Sequence, residues 1–250
     1  MTDADAELLA VLHRAATVVH SALEGLDDWG LAGTRPGQYR SDLAADEAAV
    51  AVLVSAGLGV MSEESGDHHA DRSVVVVVDP VDGSTNASRG LPWYATSLCA
   101  LDADGPLAAV VVNQATGARF EATRGGGARL DGRPIRTGAC TSVDSALVAL
   151  NGYPPRHLGW KQYRALGAAA LDLCAVASGA LDAYVDCVGH SLGPWDYLGG
   201  LLICREAGAV VADAYAEELV TRQHSARRTP LAACTPELLA GLLSARRAFP

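Results

Sequence analysis

The sequence predicts an α+β fold in which helices and sheets alternate in layers. Three observations carry that prediction. Apolar residues recur with helical spacing in the first 56 residues and again after residue 167; a run of five valines marks a strand covered on both faces; and three strand-like runs in the middle are separated by glycine turns. In order along the chain, residues 4–24 carry Leu8, Leu9, Val11, Leu12, Ala15, Val18, Val19 and Leu23 on one helical face, and an alanine-rich helix follows over 43–56. Between them, residues 28–40 hold glycines and a proline and read as a mobile loop. Leu58-Gly-Val-Met reads as a short strand running into Ser62-Glu63-Glu64, and Val74–Val78 as a buried strand. Residues 95–101, 107–113 and 118–123, with turns at Ala103-Asp-Gly and Ala115-Thr-Gly, predict an antiparallel meander. Arg124-Gly-Gly-Gly lacks the Lys-Ser/Thr that completes a phosphate loop, so it reads as a hairpin turn. The remainder predicts a helix over 167–178, a strand over 181–185, a helix over 194–207 with Pro194 in its first turn, strands over 209–213 and 231–234, and a final helix.

Composition bounds the function. The chain has 250 residues, 50% of them apolar, enough for one large core, and its net charge of −10 argues against a nucleic-acid polymer as partner. Six scattered cysteines lack metal-ligand spacing and read as reduced core thiols, with a structural disulfide as the minority alternative. The N-terminus is acidic and no apolar run is long enough to span a bilayer, so a cytoplasmic protein without a membrane partner is expected.

The chemistry concentrates at Asp79-Pro-Val-Asp-Gly-Ser-Thr-Asn86, where the valine strand ends abruptly in two carboxylates, a glycine and two hydroxyls. Asp, Pro, Gly and Ser all favour turns, so a plain polar turn explains the segment taken alone. Acids elsewhere shift the balance: Glu63 and Glu64 follow a short strand, and Asp196 opens an apolar helix. Hard oxygen ligands beside the free amides of a helix start, here Gly83 and Ser84, suit Mg²⁺ with a phosphorylated substrate. The Val81 carbonyl lies between the two aspartates as a third oxygen.

Through Asp79–Asn86, the preceding Glu63-Glu64 pair, Trp195-Asp196 and, more loosely, Ser41-Asp-Leu-Ala-Ala-Asp46, nearly the whole chain resembles the inositol monophosphatase family. These are Mg²⁺-dependent, lithium-sensitive phosphatases that include fructose-1,6-bisphosphatases, bisphosphate nucleotidases and some histidinol-phosphatases. The resemblance implies an αβαβα sandwich of the inositol monophosphatase / fructose-1,6-bisphosphatase type, one domain over 1–250 with a metal-loop half (1–140) and a substrate-pocket half (141–250). It implies that Glu63, Asp79 and the Val81 carbonyl hold one Mg²⁺, that Asp79, Asp82 and Asp196 hold a second, and that Glu63 with Asp46 supports a third, weaker ion once substrate is present.

Catalysis would fall to Asp46, Ser84 and Glu63, with Ser84 in the place of the family's threonine passing a hydrogen bond from Asp46 to the attacking water. Substrate would meet Asp82, Gly83, Ser84 and Asp196, the Gly167-Ala168-Ala169 segment, and Asp186, the counterpart of a family glutamate that binds substrate hydroxyls. Beyond these, His190 lies in a longer loop before Trp195, where contact with a second phosphate or an imidazole substrate competes with an incidental role. Arg35 and Arg40 are either substrate contacts or solvated charges, and His68-His69 resembles a zinc pair only superficially. The expected function is hydrolysis of a small phosphomonoester, inositol monophosphate first, by a homodimer. Histidinol phosphate, fructose 1,6-bisphosphate and 3′(2′),5′-bisphosphate nucleotides are the enzymatic alternatives, and a non-catalytic metal- or ligand-binding homologue is the alternative from another class.

Overall fold

The computed structural model describes residues 2–247 and 249. Its elements are α1 (Asp3–Glu24), α2 (Arg40–Ser55), β1 (Gly59–Ser62), β2 (Gly66–His68), β3 (Val75–Asp82), α3 (Ser84–Ser88), β4 (Ala95–Asp102), β5 (Gly105–Asn113), β6 (Arg119–Thr123), β7 (Gly127–Leu130), β8 (Arg133–Pro134), β9 (Leu147–Asn151), β10 (Gln162–Arg164), α4 (Ala169–Ala177), β11 (Ala183–Asp186), α5 (Pro194–Glu206), β12 (Val210–Asp213), β13 (Pro230–Ala233) and α6 (Pro236–Arg247). The strands form two sheets, one ordered β2-β1-β3-β4-β5-β6-β7-β8 and the other β10-β9-β11-β13-β12.

Side-chain alternation on the strands explains the layering. Val76 and Val78 of β3 face one way and pack with Leu98, Val110 and Val112 under Leu12, Val19 and Leu53 of α1 and α2. Val75 and Val77 face the other way and pack with Cys99 and Val111 under Leu171, Leu173, Leu198 and Leu201 of α4 and α5. Those two helices also cover Tyr184 of the smaller sheet, whose opposite face packs Val148, Val185 and Leu231 against Leu238 and Leu242 of α6. The result is the expected α–β–α–β–α stack. Burial of both faces is why β3 is a nearly unbroken valine run rather than an alternating one.

The predicted meander is present: β3, β4, β5 and β6 pair antiparallel in sequence order, while β1 joins β3 in parallel. The Arg124-Gly-Gly-Gly stretch is the turn between β6 and β7. Two features direct the chain into the site. Between Asp79 and Asp82 the register with β4 shifts, so the end of β3 bulges out of its ladder. In addition, α2 starts at Arg40, three residues earlier than the sequence suggests, because Asp42 folds back to accept the Tyr39 amide at 2.8 Å and closes the first turn.

Candidate active site

Alternation along β3 turns Asp79 toward the same side as Val75 and Val77, which is the side where α5 begins. The carboxylates of Asp79, Asp82 and Asp196 each bring one oxygen within 4.8 Å of the others. Each is held by backbone amides. Asp79 Oδ1 accepts from Val81 N at 3.0 Å, inside the bulge. Asp82 takes both first amides of α4, Ala169 N at 3.2 Å and Ala170 N at 2.7 Å, one on each oxygen. Asp196 accepts from Gly193 N at 2.6 Å, capping α5 while its remaining oxygen stays available. The residue that permits this approach is Gly83. Its φ of +86° is left-handed, and a Cβ there would stand 3.1 Å from the Ala168 side chain and from the Gly167 and Trp93 carbonyls. Asn86 fastens the same junction, donating to the Trp93 carbonyl at 2.8 Å and the Leu166 carbonyl at 2.7 Å.

The electrostatics follow from the packing. Burial pushes Glu63 up to about 8, with the charges of Asp196, Glu64 and Asp42 adding to it. Asp82 is pushed up to about 8 by burial and the charges of Asp172 and Glu63, against the Ala170 and Ala169 amides. Asp196 reaches about 8 through burial and the Asp82 charge, and Asp79 lies well above the ordinary carboxylate range through burial and Glu63. Four carboxylates of one sign oppose one another's ionisation, and three of them, Asp79, Asp82 and Asp196, are grouped as hard oxygen donors that could hold a divalent cation.

In front of this cluster lies a cleft of about 290 Å³ lined by Arg35, Gln38, Asp42, Glu63, Glu64, Ser84, Trp195, His224 and Arg227, with residues 36–37 at its edge. Asp42, not Asp46, reaches it. Burial pushes Asp42 up to about 6, against the Tyr39 amide and the hydroxyls of Ser41 and Ser84. Asp46, one turn further along α2, is buried and accepts from the Ser62 hydroxyl, so it stands behind the cleft and not beside Ser84. Asp42 and Asp46 share one face of α2 a turn apart, and the residue in the first turn is the one that lines the cleft.

Asp186 is fully buried, and its carboxylate accepts from Asn151 Nδ2 (3.1 Å), Val188 N (2.9 Å) and Ser191 Oγ (3.2 Å), bonds that anchor the loop before α5. Ala168 and Ala169 are buried as well, and the Ala169 amide is committed to Asp82; with Gly167 they form the floor under Gly83. His190 stacks on Tyr215 with ring centroids 4.6 Å apart and lies 3.5 Å from Glu217, outside the cleft. Arg35 is paired with Glu64 at the cleft wall, and Arg40 turns away to Asp28 at 2.7 Å. His68 bonds Ser65 at 2.7 Å.

The cleft's far wall was absent from the sequence reading. The segment 214–229 carries no regular structure and brings His224 against Trp195, ring centroids 4.7 Å apart, with the His224 Nε2–H donated to the Ser62 carbonyl at 2.9 Å. Arg227 lies over the Trp195 ring at 5.1 Å. The only signal was a basic cluster, Arg222, His224, Arg227 and Arg228, in an otherwise acidic chain.

Comparison with known proteins gives a consistent result. The profile described as the inositol monophosphatase family matches residues 40–249. The chain is 35% identical over 173 residues to Nus factor SuhB of Salmonella typhimurium, a match that spans 62% of each chain. It is 34% identical over 203 residues to the fructose-1,6-bisphosphatase/inositol-1-monophosphatase of Thermococcus kodakarensis, covering 79% of this chain and 78% of that one. A solved structure from Pyrococcus horikoshii, described as a hypothetical protein with similarities for inositol-1 monophosphatase, superposes with a TM-score of 0.82 at 27% identity over 95% of this chain and 96% of that one.

Proposed function

The chain belongs to the inositol monophosphatase family, and on that premise we propose that it is a phosphoric monoester hydrolase that uses Mg²⁺ to cleave a small polyol or sugar phosphate, with inositol 1-phosphate the first substrate to test. The observation that carries this reading is the convergence of Asp79, Asp82 and Asp196 oxygens within 4.8 Å beside a cleft that also holds a hydroxyl–carboxylate pair. Asp79, Asp82 and Asp196 would hold one ion, and Glu63, Asp79 and the Val81 carbonyl the other. Bound there, Mg²⁺ supplies a more acidic water at neutral pH and neutralises charge on the phosphate and the departing oxygen.

The residues of the chain do the rest. Asp42 accepts a hydrogen bond from the Ser84 hydroxyl, which leaves the Ser84 oxygen lone pairs to orient the attacking water. The Ala169 and Ala170 amides fix both Asp82 oxygens, and Gly193 fixes one oxygen of Asp196, so the ligands need little rearrangement to bind. Gly83 keeps the turn narrow, and the backbone amides of Gly83 and Ser84 are the donors offered to phosphate oxygens. Buried acids of one sign, with their pKa values raised, support the need for cations before any dianionic phosphate can enter.

The test is phosphate release from inositol 1-phosphate, fructose 1,6-bisphosphate, histidinol phosphate and 3′-phosphoadenosine 5′-phosphate, each with Mg²⁺ and with chelator. Mg²⁺-dependent release from at least one supports the reading, and silence with all four overturns it. Lithium inhibition in the millimolar range, a homodimer by light scattering and residence in the cytoplasm are parts of the same proposal. No helix among the described residues is long and apolar enough to cross a membrane.

A further inference from the structure

Arg227 is the unusual side chain of the cleft. It faces a site built almost entirely of carboxylates, yet among the described residues it forms no salt bridge, whereas Arg35 on the opposite wall is paired with Glu64 and the adjacent Arg228 lies 3.6 Å from Glu217. Its position is held by other means. Nη1 donates to the His224 carbonyl at 3.0 Å and the Ala226 carbonyl at 2.8 Å, and the guanidinium lies over the Trp195 ring, 5.1 Å from its centroid. The ring beneath is braced by His224, itself tied to Ser62. The Nε and Nη2 donors have no protein acceptor among the described residues. A planar, half-buried cation with two free donors, preorganised on an indole, suits the oxygens of a phosphate.

We propose that Arg227 forms a second anion subsite, so that a sugar carrying two phosphates binds more tightly than the same sugar carrying one. The inference rests on the phosphatase reading for the location of the first phosphate. Near Asp196, Arg227 offsets negative charge only until divalent cations neutralise the acids. From then on its surroundings are no longer anionic, and a second phosphate on the substrate is the partner that restores the balance.

The experiment compares fructose 1,6-bisphosphate with fructose 1-phosphate by calorimetric titration into the full chain, with Ca²⁺ replacing Mg²⁺. Hydrolysis in Mg²⁺ is measured separately, so loss of turnover speaks to the phosphatase reading and the binding ratio to the subsite. The expected result is about a tenfold preference for the bisphosphate in the wild type. Arg227→Gln should abolish most of that preference, Arg227→Lys should keep part of it, and added salt should shrink it. Equal affinity for the two sugars, no measurable binding of either, or a preference unchanged in Arg227→Gln overturns the proposal. An equal loss for both sugars in Arg227→Gln also overturns it, since that would assign Arg227 to the first phosphate or to the fold.

Discussion

Strands β3 and β11 both end in a buried aspartate followed by a glycine-containing loop, and the two carboxylates have opposite fates. Asp186 accepts from three donors of its own neighbourhood, and Arg246, bonded to its carbonyl at 2.8 Å, adds positive charge. Burial pushes it up only to about 6, because those donors and the Arg246 charge act against the burial. Asp82 has two amides and is surrounded by acids, and burial together with Asp172 and Glu63 takes it up to about 8. The same residue type at the same kind of strand end thus meets three donors in one case and two amides among other acids in the other. Burial is the largest influence on both acids; what differs is that the neighbours of Asp186 lower its pKa against that burial, while Asp172 and Glu63 add to the burial of Asp82.

The largest expected effect tests that contrast directly. Asp82→Asn should lower kcat in Mg²⁺ by about a thousandfold, while Asp186→Asn, which keeps an acceptor for the same loop, should stay within about tenfold. If both fall equally, Asp186 is more than an anchor and the comparison breaks. A second pair sharpens the opposite wall: Asp42→Asn should cost about a hundredfold in kcat and Asp46→Asn less than about tenfold, measured with the same substrate.

The next effect is on stability. Removing the Asp186 carboxylate altogether in Asp186→Ala leaves three donors without their acceptor and should cost about 2–3 kcal/mol in denaturant unfolding at pH 7.

The pH dependence carries a definite sign. Folded-state values of about 8 for Glu63, Asp82 and Asp196 lie above the unfolded ones. Their contribution to stability is therefore fully present below about pH 4 and is lost as pH rises toward about 8. Cation binding counteracts that loss, so the gap in Tm between Mg²⁺-loaded and chelated protein should widen from pH 5 to pH 8.5; a constant gap would mean that the acids do not bind the ion. The smallest expected change comes from Asp172, pushed up to about 7 by burial while Trp93 Nε1 donates to it at 2.9 Å. Asp172→Asn retains that acceptor and cannot ionise, so chelated protein should gain stability at pH 9 and little at pH 4.

Most of the layered fold was legible because each long element carries its own period: the helical face of α1, the valines of β3 and the turn-separated strands of the meander. Of the strands that escaped, β2, β8 and β10 are short and mostly exposed, whereas β9 is a buried apolar stretch that was missed as well. Gln162-Tyr163-Arg164 is exposed throughout, and no burial pattern distinguishes it from loop. The three clustered aspartates were legible from punctuation, since Asp79 and Asp82 interrupt an apolar run and Asp196 follows Pro194 at a helix start. The choice between Asp42 and Asp46 was not, because it turns on where α2 begins. That start is set by a Tyr39–Asp42 backbone closure, and tyrosine is not a residue that announces a helix cap. Arg227 and His224 were illegible for another reason: their segment has no period, and only long-range packing on Trp195 brings them to the cleft.

The two amides that hold Asp82 lie 87 and 88 residues further along the chain. A nascent polypeptide that has just emerged as far as the meander carries Asp79 and Asp82 but neither of those amides nor Asp196. Capture of the ion proposed at Asp79, Asp82 and Asp196 would therefore wait until α5 has left the ribosome and docked, which would make its kinetics a clock for the latest stage of folding.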